Sequence, residues 1–276
     1  MSANVAKAMG ALARLRLHDL GEYSRSYKIG INSVGSAFEE YVKDLLTGRF
    51  YPSPDQRGEA FSREFSWLGN QNFPPDAIAR GGDAFEIKKH ERAGGIIALN
   101  SSHPRDMLHA DDPMITSECR ASMGSSPLDL FYIAGAVPNG VARSIYFVQG
   151  RCYAASSGIY QSINGRVSDA VRAAIEGSGL EYSDTRELGR VNRADPLGRA
   201  SLRVRGMWQI IDPSRAFQAV APPLDGREFY AYAIMEREKA ISFGPTPEGV
   251  LSRQARLPDP NNPARQIDAA IMEVSW

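Results

Sequence analysis

Hydrophobic positions along this chain fall into two periods, one near 3.6 residues and one of two, and the alternation between them predicts the elements. Residues 2–20 carry Val5, Met9, Leu12, Leu15 and Leu20 on a partial stripe, with Lys7, Arg14 and Arg16 interspersed. That spacing predicts a surface helix capped by Ser2. Residues 33–46 carry a fuller stripe of Val34, Phe38, Tyr41, Val42, Leu45 and Leu46, opened by Ser33 and closed by Gly48. They predict a helix with a buried face. Residues 52–59, with Pro52, Pro54 and Gly58, read as a loop, and 61–68 as a strand. Period two governs residues 76–80 and 84–89, on either side of Gly81, Gly82 and Asp83. Paired glycines supply the positive φ of a tight reversal, so a β-hairpin is expected. A short strand follows at 96–99. The apolar run 128–137 predicts a central strand, paired with 144–149 across Pro138-Asn139-Gly140, with a further short strand at 151–154. Residues 156–177 are helical in period, divided at Gly165, while 202–211 and 229–235 read as strands. The proline-rich stretch 246–263 predicts a surface loop, and 264–274 a closing helix or strand.

The hairpin carries the chemistry. With a three-residue loop at 81–83, Arg80 pairs with Ala84, Ile78 with Glu86 and Asp76 with Lys88. Opposed residues share a face of a sheet. Asp76, Glu86 and Lys88 then project to one side, and Ala77, Ala79, Phe85 and Ile87 to the other. A one-residue slip would separate Asp76 from Glu86, so the chemistry requires a loop of odd length. Carboxylate oxygens suit Mg²⁺, which takes one or two protein carboxylates and keeps several waters. Such an ion supports phosphodiester hydrolysis, and a lysine beside it can hold the attacking water and offset charge on phosphorus. The plain alternative is a hairpin with a solvated polar face.

Composition narrows the field without choosing within it. The 276 residues are 43% hydrophobic and 23% charged, with a net charge of zero, so any nucleic-acid footprint must be local. Cys119 and Cys152 stand far apart with no C-x-x-C, and His18, His90, His103 and His109 lack zinc-ligand spacing. Zinc hydrolase and HNH-type chemistry are disfavoured. No apolar run approaches the roughly 20 residues of a membrane span, and residues 3–17 lack a signal-peptide cleavage pattern, so a cytoplasmic enzyme is expected.

Several polar groups have spacing suited to DNA. Asn70, Gln71 and Asn72 precede the hairpin; Lys89 and Arg92 extend it as a basic run; Asn100, Ser101, Ser102, His103 and Arg105 form a polar loop. Amides, hydroxyls and cations of this kind contact phosphates and base edges, although each also serves to satisfy turns. Arg203 and Arg205 share one face of a strand, as DNA contacts or as solvated edge residues. Glu39, and failing it Glu40, borders the apolar stripe of the 33–46 helix, where a carboxylate needs a partner.

Pro75-Asp76 followed by Glu86-x-Lys88 resembles the signature of the PD-(D/E)XK nuclease superfamily. The runs L-G-N-Q-N-F-P-P-D at 68–76, G-G-D-A-F-E-I-K-K at 81–89, A-L-N-S-S-H-P at 98–104, D-P-M-I-T at 112–116 and N-S-V-G-S-A-F-E at 32–39 are similar to the NgoPII family of type II restriction endonucleases. The resemblance is clear over about residues 30–155. It implies an α/β restriction-endonuclease-like core, a mixed β-sheet flanked by helices, with appended C-terminal elements. It implies one domain, its catalytic core at about 30–155 and recognition or dimerisation elements at 156–276. It further implies Mg²⁺-dependent cutting of double-stranded DNA at a short palindrome, GGCC being the site associated with the family's name-giving enzyme. Asp76, Glu86 and the carbonyl of Ile87 would bind metal, Lys88 would assist the water, and Glu39 would be the helix acid. Palindromic cutting implies a homodimer, and a methyltransferase protecting the same site is the implied cellular counterpart. Two other readings stand beside this one: a different PD-(D/E)XK nuclease, such as a junction resolvase or repair nuclease, and a non-catalytic DNA-binding module.

Overall fold

The computed structural model describes residues 2–27, 34–69, 73–112, 114–185 and 187–276, with the side chains of Val34 and Asn100 outside that description. Helix α1 (Val5–Leu15) is capped by Asn4, whose side chain accepts from the Lys7 amide, and not by Ser2. Nor is it a surface helix, because Val5, Met9 and Leu12 are buried together with Ala6, Ala8 and Ala11. The alanines widen the apolar stripe into a full buried face. Helix α2 (Leu20–Ser26) follows, with Asp19 accepting from the Gly21 and Glu22 amides. Helix α3 (Val34–Thr47) lies where the stripe predicts, and Phe38, Tyr41, Val42, Leu45 and Leu46 are fully buried. Its expected cap, Ser33, is outside the described residues. The expected loop at 52–59 is instead the start of helix α4 (Pro54–Glu64), capped by Ser53. Pro54 sits in the first turn, where a missing N–H costs nothing. The buried Arg57 of α4 bonds Asp44 of α3 with Nη2 at 2.9 Å, and Tyr23 donates to the same carboxylate at 2.7 Å, tying three helices together.

Strands β1 (Phe65–Trp67), β2 (Ala77–Ala79) and β3 (Ala84–His90) begin the main sheet. After them come β4 (Ile96–Asn100), β5 (Met107–Leu108), helix α5 (Ser117–Ser122), β6 (Leu128–Ala136) and β7 (Ser144–Gln149). The expected strand at 151–154 is a 3-10 turn, Gly150–Cys152. Helix α6 (Ser157–Ile175) runs unbroken through Gly165, which is exposed; a glycine there costs only about 1 kcal/mol. Strands β8 (Glu181–Ser183), β9 (Gly189–Asn192) and β10 (Leu202–Val204) form a small antiparallel sheet. β11 (Trp208–Ile211) does not continue β10 but pairs with β4. Helix α7 (Pro213–Ala216), β12 (Tyr230–Glu236) and α8 (Arg237–Ser242) precede a long hairpin of β13 (Leu251–Asp259), where a proline-rich loop was expected, and β14 (Asn262–Ser275), which takes the strand alternative for 264–274. Pro258 is tolerated because β13 is the sheet's edge, where one side of the strand needs no donors.

The main sheet runs β1-β2-β3-β6-β7-β12-β14-β13, with β5 also paired to β6. It is mixed: β3–β6 and β7–β12 are parallel, and its other pairs antiparallel. One face packs against α1, α2 and α3 in the largest core, which holds Phe38, Phe85, Phe131 and Phe147. Contact there is so close that a Cβ on Gly135 of β6 would lie 2.1 Å from the Phe38 ring. The other face carries two smaller clusters and is where the polar side of the hairpin emerges. No described helix is long and apolar enough to cross a membrane.

Candidate active site

The hairpin of β2 and β3 keeps the expected faces with a different register. Ala77 pairs with Phe85 and Ile78 with Ala84, so residues 79–83 turn the chain. Ile78 therefore falls opposite Ala84, not Glu86, and Asp76, just outside β2, donates its amide to the Phe85 carbonyl at 2.9 Å and does not oppose Lys88. The turn closes at Ala79, the last residue of β2, which donates its amide to the Asp83 carbonyl at 2.8 Å and accepts from the Gly82 amide at 3.0 Å. A shift of two residues preserves parity, so the face assignment survives. Ala77, Ala79, Phe85 and Ile87 are buried in the core on the helical side, while Ile78 and Ala84 share the other side with the polar groups.

Two of the three side chains are in contact, and the charges of both are felt at the third, Asp76. Lys88 Nζ lies 2.6 Å from Glu86 Oε1. The Ile87 amide donates to Asp76 Oδ2 at 2.6 Å. A strand residue presents N–H and C=O to the same side, so the Ile87 carbonyl also faces Asp76. Glu86 Oε2 is buried and has no hydrogen-bond partner among the described residues. An orphaned buried carboxylate oxygen is costly unless something cationic meets it. Burial, and next the Glu86 carboxylate, push the Asp76 carboxyl well above its usual range, against the pull of Lys88 and the Ile87 amide. Burial opposes the charge on Lys88, but Glu86 and then Asp76 outweigh it and raise its pKa, so it stays an ammonium donor at neutral pH.

Glu39 stands at the margin of this group. Its Oε1 is 2.5 Å from Lys43 Nζ, which also reaches Glu40 Oε1 at 3.4 Å. Its charge is felt at both Asp76 and Lys88. No described cluster of three acidic, histidine or cysteine residues has metal-binding geometry. Two carboxylates and one carbonyl nevertheless match what Mg²⁺ asks of a protein.

The carboxylates open onto a cleft of about 920 Å³. Its lining includes Pro74, Leu99, Ser101 and Ser102 and, from the small sheet and the chain flanking its strands, Glu187, Arg190, Arg203 and Arg205. Arg203 and Arg205 thus stand on the same cleft as Asp76 and Glu86. Lys89 and Arg92 are not among the described wall residues, and Lys89 is paired with Glu91. His103 and Arg105 were expected on a DNA-facing loop; each is only 3% exposed. His103 stacks on Tyr160 at 5.5 Å and sits 2.8 Å from the Pro104 carbonyl through Nδ1, and burial lowers its pKa. Arg105 Nε donates to Asp112 at 3.0 Å, and its backbone amide donates to the Tyr132 hydroxyl at 2.7 Å. Both fasten the loop from inside. Asn70, Gln71 and Asn72 lie outside the described residues, as does the Asn100 side chain.

One residue that local pattern does not reveal holds the hairpin in place. Lys239 of α8 donates to Asp83 in the hairpin turn and lies 2.8 Å from Asp129 of β6. It is remote in sequence, and nothing in its own neighbourhood marks it.

Comparison with known proteins gives a family match to the NgoPII restriction endonuclease over residues 3–256. That range extends on both sides of the segment whose motifs carry the resemblance. A curated relative, the type II restriction enzyme NgoPII of Neisseria gonorrhoeae, is 37% identical over 249 residues, covering 87% of this chain and 88% of that protein. No solved structure matches.

Proposed function

This chain belongs to the NgoPII restriction endonuclease family and is a type II restriction endonuclease, a site-specific deoxyribonuclease; we propose that it hydrolyses double-stranded DNA at a short palindrome, with Mg²⁺ held by Asp76, Glu86 and the Ile87 carbonyl. GGCC is the sequence we assign to that palindrome, and we assign the mixed sheet to the PD-(D/E)XK class as one domain. Two chains would act as a homodimer, one site per strand, with a methyltransferase protecting the host's copies of the sequence.

The observation that carries the reading is the pair of carboxylates on one face of the hairpin, with Lys88 bonded to Glu86 and the other Glu86 oxygen orphaned. When bound, the cation supplies Lewis acidity toward a phosphoryl oxygen and lowers the pKa of a water. The chain's own residues do the rest. The Ile87 amide fixes the Asp76 rotamer. Lys88 remains charged, so it donates to oxygens at phosphorus and offsets their developing charge rather than taking a proton. Glu39 adds negative field from α3. Ser101 and Ser102 line the cleft, where hydroxyls can reach the DNA backbone. Among the remaining proposed DNA contacts are Asn70, Gln71, Asn72, Lys89, Arg92 and Asn100.

Incubation of the purified protein with Mg²⁺ and sequenced phage DNA, followed by sequencing of the fragment ends, tests this directly. Discrete ends at one palindrome are expected, abolished by EDTA and slowed at least about 10²-fold by Glu86→Ala, the scale on which loss of one charge-stabilising group is felt. Structure-dependent nicking would favour a resolvase or repair nuclease, and binding without cutting a non-catalytic module.

A further inference from the structure

The cleft onto which the carboxylates open also gathers positive charge. Arg190 of β9 pairs directly with Arg203 of β10, and Arg205 follows on the same side of the chain as Arg203. Like charges this close destabilise a sheet. Glu187 lies among them. Its Oε2 accepts from Arg203 Nε at 3.1 Å, its Oε1 from Arg203 Nη2 at 2.9 Å, and Arg205 Nε stands 2.7 Å from Oε1. The Glu187 side chain is 10% exposed, whereas those of Arg203 and Arg205 are 59% and 61% exposed. One largely buried carboxylate thus holds two exposed guanidiniums and points both into the cleft.

Exposed ion pairs add little to stability, so this arrangement has its main consequence in binding. Attraction between a protein and any duplex, whatever its sequence, grows with the number of phosphates the protein neutralises. Two free arginines would add two such contacts. Two arginines sharing Glu187 carry one net charge and a fixed orientation. We infer that Glu187 is a specificity-determining residue: it orients Arg203 and Arg205 and withholds one positive charge, so that duplex lacking the cleavage site is held weakly. The inference rests on the DNA-cutting function proposed above. Arg203 and Arg205 act by contact with DNA; Glu187 acts through them and is a positioning residue.

The test is the salt dependence of binding to a site-free duplex by the full chain in EDTA, between 50 and 200 mM NaCl. Each neutralised phosphate contributes a slope of about 0.9 in log K against log salt. Glu187→Gln keeps the shape and removes the charge, so its slope should steepen by about 0.9 and its binding tighten roughly eightfold at 0.1 M salt. Cutting at the true site should then be more strongly inhibited by site-free competitor DNA. Glu187→Asp, which keeps the charge, should retain the wild-type slope. In an Arg203→Gln/Arg205→Gln background, Glu187→Gln should no longer steepen it. A folded Glu187→Gln with the wild-type slope overturns the inference, as does equal steepening in the double-arginine background. If Glu187→Gln does not fold, the double-arginine variant decides: relative to wild type, loss of about 0.9 in slope supports sharing, and loss of about 1.8 refutes it. A wild type that binds no duplex overturns the proposed function itself, and one that cuts at a site while Glu187→Gln changes nothing overturns this inference alone.

Discussion

At the scale of single residues, the candidate site crowds two carboxylates and a lysine onto one face of the hairpin. Lys88 is bonded to Glu86, and its charge is felt at Asp76. The Asp76 carboxyl is raised by burial and by Glu86, so the folded chain binds its proton more readily than the unfolded chain does. A raised acid destabilises the fold in full above its folded pKa, and the cost disappears as pH falls below the ordinary carboxylate range. Asp76→Asn removes that cost. Its melting temperature in EDTA should exceed the wild type's most at alkaline pH, and the gap should close as the pH is lowered toward 4. Calorimetry across pH checks this, and a gap independent of pH would show that Asp76 is not raised. Such strain is the usual trade of stability for chemistry. The identity of these residues was legible from spacing, because alternation along a strand survives any even shift of register. The partner of each residue was not, since that depends on how many residues the turn consumes.

At the scale of elements, the hairpin is positioned from outside itself. Its turn is fastened through Asp83 to Lys239 of α8, which also binds Asp129 of β6. Asp83 is 5% exposed, and removing its cation leaves a buried carboxylate unpaired. Lys239→Met should cost about 2–3 kcal/mol, less than a fully buried pair because Asp129 is 22% exposed. It should also lower kcat more than it raises KM for DNA, since the turn and not the cleft wall is disturbed. Urea denaturation and cleavage kinetics measure the two effects. Helix α4 and strand β13 depart from the local pattern for one reason: prolines look like loop locally. Pro54 is compatible with a first helical turn and Pro258 with an edge strand. α1 was misread because three alanines, neutral in the stripe, are buried beside Val5, Met9 and Leu12.

At the scale of the whole molecule, the main sheet gathers strands from residues 65 to 275, and β12 and β14 are as much part of it as β3 and β6. The small sheet of β8, β9 and β10 borders the cleft and brings arginines into one cavity with the carboxylates. A DNA duplex gripped there presents one strand to one chain, so symmetric cutting of a palindrome calls for a second copy related by two-fold rotation. Sedimentation of the protein in Ca²⁺ with a duplex containing one site should give two chains per duplex; one chain per duplex, with nicking of a single strand, would exclude the dimer. By itself the sequence determined what is written in local periodicity: the α3 stripe, the apolar β6 and β7, the hairpin, and the shared face of Asp76, Glu86 and Lys88. It also carried the family, because the motifs that encode this chemistry are contiguous. Only the tertiary structure decided that Ile78 opposes Ala84, that His103 and Arg105 turn inward, that Lys239 locks the turn, and that Glu187 holds two arginines in the cleft onto which Asp76 and Glu86 open. Each of those depends on contacts between residues remote in sequence or on the length of a turn, and neither leaves a periodic trace along the chain.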